Sequence, residues 1–240
     1  MLSKNQQKHI RQLSKKKYRQ ETGLFVAEGE KTVFDLLDAG WKTDEIYATK
    51  GFKNIPYTKV DVVEMGKITH LSTPSSLLAV FYIPKYTSDL WIRGGFSLAL
   101  DGVSDPGNLG TIIRLCDWFG VKNIFCSPNT VDCYNPKVIQ STMGSIARVT
   151  CQYTDLHQLV EHFGGEIFAA TLDGISHYGQ SFPTNGLLIM GSESHGIDAD
   201  LLKKIKNHLT IEGHFNGPKA ESLNVGTATA ILLSEIFRPV

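Results

Sequence analysis

Three short polar stretches hold the residue types that could do chemistry in this 240-residue chain. The first runs from Asp101 to Arg114 and sets Asn108 six residues before Arg114. An arginine there suits a phosphate, because its planar fork matches two oxygens at once. It is a poor unassisted base, since a guanidinium stays protonated in water. The second stretch is Gly191-Ser-Glu-Ser-His-Gly196, whose two glycines permit a tight backbone path close to a ligand. The third is Ser222-Leu-Asn224, just before a small-residue helical run. Each has a plainer reading beside it. Asn108 could be an N-cap and Arg114 a surface residue. Gly191–Gly196 could be an ordinary turn with Glu193 solvated, and Ser222 or Asn224 could cap the last helix.

Other chemistries drop out. Neither Ser192 nor Ser194 has glycines two residues before and after it, so there is no nucleophile elbow and His195 is a poor triad candidate. No Walker A sequence occurs, and Gly102 to Gly110 does not fit G-x-G-x-x-G. No His, Cys or carboxylate cluster has metal spacing, so no metal is expected. Cys116, Cys126, Cys133 and Cys151 show no C-x-x-C pattern and read as buried thiols in a reducing cytoplasm. No apolar run approaches the ~20 residues that span a membrane, and Met1 to Gln20 lacks the apolar core of a secretory signal.

Charge is uneven. Residues 1–20 carry Lys4, Lys8, Arg11, Lys15, Lys16, Lys17 and Arg19 and no acid, in a chain whose formal net charge is zero. A basic arm on an otherwise acidic body fits contact with phosphate, hence nucleic acid, through Lys15, Lys16, Lys17 and Arg19; the alternative is a solvated terminal helix.

The elements that must position the polar loops follow from periodicity. Ile10 and Leu13 predict a basic, weakly amphipathic helix over 3–20. Strands are expected at 23–27, 45–49, 60–63 and 77–83. Between them lie a helix carrying Val33, Phe34, Leu36 and Leu37 and a short helix over 65–71. This is a small α/β unit, 21–90, and Pro84 to Gly95 reads as its linker. A second unit, 96–240, opens with the buried strand Phe96 to Leu100. Its first helix sets Leu109, Ile112, Ile113, Cys116 and Phe119 on one face, with Asn108 as a candidate N-cap. Strands at 123–126, 149–153, 166–171 and 187–190 alternate with helices at 136–147 and 156–163, and a helix closes the chain at 225–237. Such alternation implies a parallel sheet covered on both faces, with ligands beyond the carboxyl ends of its strands.

Taken together and in order, the three loops resemble the SpoU/TrmH family of RNA ribose 2′-O-methyltransferases, within the SPOUT group. Asn108-Leu-Gly-Thr-Ile-Ile-Arg114 matches its first motif, Leu188 to Gly196 its second, and Ser222-Leu-Asn-Val225 its third. Tyr134-Asn-Pro-Lys-Val138 and Ser141-Thr-Met-Gly144 are similar to its middle region. Phe25-Val-Ala-Glu-Gly29 is similar to the RNA-binding domain that often precedes it.

The resemblance implies a trefoil-knotted parallel-sheet domain, although general topology rules argue against knots. It implies a homodimer with the site completed across the interface. S-adenosylmethionine would be held near Thr171, Leu172, Gly191, Ile211 and Leu223. Arg114 would position RNA phosphate and assist deprotonation of the 2′-hydroxyl, ordered by Asn108, Glu193, Ser222 and Asn224. Ribosomal RNA is favoured over tRNA as substrate, by analogy with two-domain members. The chain departs from the family pattern where Glu212 follows Ile211, in a longer 213–221 loop, in Gln140 where arginine is common, and in Gly-Thr-Ala-Thr-Ala after Val225. These departures bear on loop geometry and RNA contacts more than on the chemistry. Two rivals remain: an RNA binder of this fold without turnover, and an α/β enzyme with another nucleotide ligand in the same crevice.

Overall fold

The computed structural model describes residues 2–85, 95–213 and 220–239. The expected linker falls mostly on residues 86–94 and the expected long loop mostly on 214–219, so both lie outside the described residues. The chain divides into two compact units. One holds Met1–Lys85 and Asp132–Arg148; the other holds Tyr86–Val131 and Val149–Val240.

In the first unit the basic helix expected over 3–20 is two helices, α1 (Lys4–Gln12) and α2 (Lys16–Thr22). Ser3 and Gln6 form a reciprocal capping box that starts α1. The break has a visible cause. Leu13 is buried in the core, and its carbonyl accepts a bond from Arg19 Nη1 at 2.7 Å, so it is diverted from helical pairing. After α2 come β1 (Leu24–Glu28), α3 (Glu30–Asp38), β2 (Thr43–Ala48), β3 (Thr58–Lys59), α4 (Val62–Ile68) and β4 (Leu77–Tyr82). The sheet order is β1-β4-β2-β3, with β4 antiparallel to both β1 and β2 and β3 parallel to β2.

The strand expected at 60–63 is absent, because Asp61 and Glu64 close a second capping box. That box commits Val62 and Val63 to a first helical turn, where each is 69% exposed. Ile10, Leu13, Val26, Tyr47, Met65, Ile68, Leu78 and Val80 form the core.

The second unit is built on β5 (Ser97–Asp101), α5 (Pro106–Phe119), β6 (Asn123–Cys126), β7 (Thr150–Tyr153), α7 (Leu156–His162), β8 (Glu166–Ser176), β9 (Gly186–Gly191), α8 (Ala199–Leu202), β10 (Asn207–Thr210) and α9 (Val225–Ile236). Every strand pair is parallel, in the order β10-β8-β9-β5-β6-β7. Ala99, Phe125, Ala169, Leu187 and Ile189 pack with Leu156, Leu159 and Leu201 of α7 and α8. Their alternate neighbours Leu98, Leu100, Leu188 and Met190 point the other way and are also buried, as a sheet covered on both faces requires.

The crossover from β6 to β7 belongs to the other unit. α6 (Pro136–Thr142) and a 3-10 turn at Ser145–Ala147 replace the single helix expected over 136–147. Met143 and Gly144 have positive φ, and a Cβ on Gly144 would fall 2.1 Å from Asp35 Oδ2. Tyr134 packs on Phe25 with ring centroids 4.9 Å apart. The stretch Asp132–Arg148 packs with the first unit, through the ring contact of Tyr134 with β1 and the ion pair of Asp132 with α2.

Candidate active site

The strand order turns at β5. The chain moves outward through β6 and β7, then returns to β8, β9 and β10 on the opposite side. Asp101 and Gly191, the last residues of β5 and β9, are register partners at that switch point. A crevice at the carboxyl ends of strands is where open α/β sheets bind ligands.

Asn108 is not the N-cap. Asp105 is, with Pro106 in the first helical position and the Asn108 N–H donating to Asp105 Oδ1 at 2.8 Å. The Asn108 side chain is thereby free for other bonds. Its Nδ2 donates to Glu193 Oε1, across 85 residues of sequence. Its Oδ1 accepts from Asn224 Nδ2 at 2.9 Å, across 116. Asn224 caps α9, its Oδ1 accepting from Gly226 N at 3.0 Å and Thr227 N at 3.2 Å. Donors thus point one way along the relay, from the α9 amides through Asn224 and Asn108 to the Glu193 carboxylate. Each amide's orientation is fixed by its neighbours, and the carboxylate is held by a donor inside the protein.

Glu193 projects from a tight loop. Ser192 and Gly196 exchange backbone bonds at 3.1 and 2.9 Å, and Gly196 takes φ +67°. A Cβ on Gly191 would lie 2.1 Å from the Gly196 carbonyl carbon, so glycine is obligatory there. Asp101 Oδ2 accepts from Asp198 N at 2.8 Å and ties the far side of this loop to β5.

Arg114 is exposed, six residues along α5 from Asn108, about 9 Å along the axis and ~120° around it. Among the described residues its side chain makes no hydrogen bond or ion pair, so it is not joined to the relay. Ser222 is exposed and likewise outside it.

The residues expected to hold a cofactor sit at the same end of the sheet. β8 runs on to Ser176 instead of ending at Thr171. Its register with β10 jumps from Ala169↔His208 to Ile175↔Leu209, so the residues between leave the ladder. Gly174 approaches the His208 backbone so closely that a Cβ would overlap it at 2.5 Å. Leu172 is 77% exposed, and its carbonyl accepts from Thr210 Oγ1 at 3.1 Å. The Thr171 hydroxyl is buried without a partner. An orphan buried hydroxyl, backbone outside the ladder and an obligatory glycine at Gly191 fit a small ligand held largely by main chain. Ile211 is half-buried just after β10, and Leu223 is exposed beside the α9 cap.

Of the cations expected to meet RNA, Lys15, Lys16 and Lys17 are exposed. Arg19 is corrected. It is 1% exposed, with Nε at 3.0 Å from Asp132 Oδ2 and Nη2 on the same oxygen. Its fork is consumed inside the first unit and cannot reach a nucleic acid. The sequence reading missed Asp105, whose signal was the Asp-Pro pair. It also missed Asp101, for which no local pattern exists.

A six-stranded parallel sheet with polar loops converging at its switch point defines a ligand-binding α/β domain, here preceded by a smaller α/β unit. Residues 95–234 match the SpoU rRNA Methylase family, and residues 4–79 match the MRM3-like substrate binding domain. The chain belongs to the SpoU rRNA methylase family. It is 31% identical to the 23S rRNA (guanosine(2553)-2′-O)-methyltransferase RlmP of Bacillus subtilis, covering 96% of each chain. A TrmH-family protein from Porphyromonas gingivalis superposes with a TM-score of 0.87 at 36% identity, over 98% of both chains. The AdoMet-bound rRNA methyltransferase of Sinorhizobium meliloti superposes with a TM-score of 0.87 at 29% identity, over 98% of this chain and 95% of that one.

Proposed function

We propose that this protein transfers a methyl group from S-adenosylmethionine to a ribose 2′-hydroxyl of ribosomal RNA. The observation that carries the reading is the relay joining Asn108, Glu193 and Asn224, one residue from each motif, at the carboxyl end of β5 and β9. The cofactor supplies a methyl already activated by its sulfonium, so no metal is needed and positioning plus a proton acceptor suffice. Thr171, Leu172, Gly191, Ile211 and Leu223 are the residues proposed to hold it. Bound there, it would present its methyl carbon to the ribose oxygen, and its sulfur would keep the electron pair of the carbon–sulfur bond that breaks as the oxygen–carbon bond forms. The hydroxyl proton would pass to the RNA phosphate oxygen that Arg114 holds, which is how Arg114 assists the deprotonation.

Arg114 grips the adjacent phosphate, and Asn108, Glu193, Ser222 and Asn224 order the ribose. The N-terminal unit selects the RNA, with Lys15, Lys16 and Lys17 among its phosphate contacts.

The working form is proposed to be a homodimer. Trp118 on α5 is 84% exposed, and Phe119 stacks on Phe237 at 6.0 Å just past α9, leaving an apolar face on that helix pair. The trefoil knot belongs to the same proposal, in the stretch from β8 to α9. All four cysteines are buried and outside any disulfide, and burial pushes the Cys116 thiol up, which suits a reducing cytoplasm. No helix among the described residues is long and apolar enough to cross a membrane.

The test is incubation with methyl-labelled cofactor and unmodified rRNA or tRNA, followed by alkaline hydrolysis. Label in an alkali-resistant dinucleotide of rRNA is expected. Label in tRNA alone moves the substrate, and cofactor binding without transfer to any RNA overturns the activity.

A further inference from the structure

The N-terminal cations separate into two groups. Lys17 lies 3.9 Å from Glu21, and Arg19 is buried on Asp132. Lys4, Lys8 and Arg11 of α1 and Lys15 at the start of α2 line a single open groove of about 650 Å³, joined there by Lys67 of α4. At 100° per residue Lys4, Lys8 and Arg11 fall within an arc of about 60° on α1. Ile10 and Leu13 lie on the other side, in the core. The groove is lined by no acid and no aromatic ring. Among the described residues none of these five side chains makes an ion pair or hydrogen bond.

Fold stability does not explain them. The first turn of α1 carries no acid and begins with Lys4, where a cation opposes the helix dipole. Lys15 is the N-cap of α2 and makes no capping bond, where Ser, Thr, Asp or Asn would satisfy an orphan amide. Five like charges around one concavity repel one another when it is empty and are compensated when a polyanion fills it.

We infer that this groove seats the sugar–phosphate backbone of the RNA, an assignment that rests on the function proposed above. Lys4 to Arg11 covers about 10 Å of helix axis, so the groove follows a run of phosphates and not a single anion. With no aromatic platform it grips backbone without reading bases, and sequence choice falls to other residues.

The experiment compares K8Q/R11Q with K53Q/K59Q, which removes the same charge from exposed positions of the same unit outside the groove. Binding of an unmodified 23S rRNA transcript is titrated against salt, with S-adenosylmethionine binding measured in parallel. K8Q/R11Q is expected to weaken RNA binding about tenfold or more near 0.15 M salt. It should flatten the log–log salt slope by about 1.4–1.8, the worth of two phosphate contacts. K53Q/K59Q should stay near wild type, and cofactor binding should be unchanged in both. RNA affinity of K8Q/R11Q within about twofold of wild type with an unaltered slope overturns the assignment, and so does an equal loss in K53Q/K59Q. The two readings fail separately. Wild type that methylates RNA while K8Q/R11Q binds normally removes the groove alone. Wild type that transfers no methyl while K8Q/R11Q loses RNA removes the activity and keeps the groove.

Discussion

Two regions of this molecule fix polar groups in opposite ways. In the N-terminal unit Arg19 and Asp132 form an ion pair nearly closed to water, and Glu28 is buried with its carboxylate on Thr69 Oγ1 and His70 N. At the end of the parallel sheet, Glu193 and Asn224 are exposed and Asn108 between them is half-buried, and all three are joined through side-chain amides. A buried charge that loses its partner is left in a low dielectric. An exposed one that loses a neutral donor falls back on water. The first arrangement therefore secures the fold, and the second tunes a site that must still open to a substrate.

The comparison can be pressed with variants. Arg114→Ala should lower methyl transfer by about 10²–10⁴-fold while leaving cofactor binding and thermal stability near wild type, since Arg114 supports nothing in the fold. Normal turnover would end its assigned role. Arg19→Met should do the reverse, costing about 3–5 kcal/mol in urea unfolding through the uncompensated Asp132. A loss under ~1 kcal/mol would mean the pair is solvated in practice. Asn108→Ala should cost only about 1 kcal/mol of stability yet slow transfer clearly, because the carboxylate loses its orienting donor. Equal effects on both would make the relay structural.

A pH scan is subtler. Burial holds His70 below its ordinary value of 6.5, with Arg11 and Arg19 acting in the same direction and the Ile10 carbonyl opposing them. Its folded form is depressed, so its contribution is present above 6.5 and is lost as pH falls through the folded value. Glu28 is shifted up, chiefly by burial, and its contribution runs the opposite way, being lost as pH rises. Acid sensitivity should therefore be read as the difference between wild type and His70→Gln at each pH. Parallel melting curves would remove His70 from the account. The smallest effect belongs to Lys17→Ala, where an exposed i,i+4 pair should leave stability unchanged within error.

The alternation of strands and helices in the second unit was legible because its strands are continuous apolar runs, the signature of a sheet buried on both faces. The three polar loops stood out as a set only through their resemblance to the family's ordered motifs, because each alone reads as well as a helix cap or a turn. What was hidden depended on distance or on competition. Asp105 outcompeted Asn108 for the cap because Pro106 fixes the first helical residue and leaves Asn108 at the third. Arg19 looked like every other basic residue in its run, since its partner stands 113 positions away. β8 continues past Thr171 through Asp173 and Gly174, a pattern that reads as a turn, because close approach to His208 requires the glycine. The crossover between β6 and β7 gave no sign of its allegiance, because Tyr134 and Asp132 find their partners in β1 and α2.

That crossover has a consequence for the order of events during synthesis. Asp132 leaves the ribosome 113 residues after Arg19. At about 5–20 residues per second the wait is roughly 6–23 s. Through that interval α1, α2 and the four-stranded sheet have emerged with a guanidinium whose counter-charge does not yet exist. The first unit is thus the first to be translated and cannot be the first to be finished. Its completion waits for β5 and β6 of the second unit to be made, so the nascent chain must close its two cores in an interleaved order.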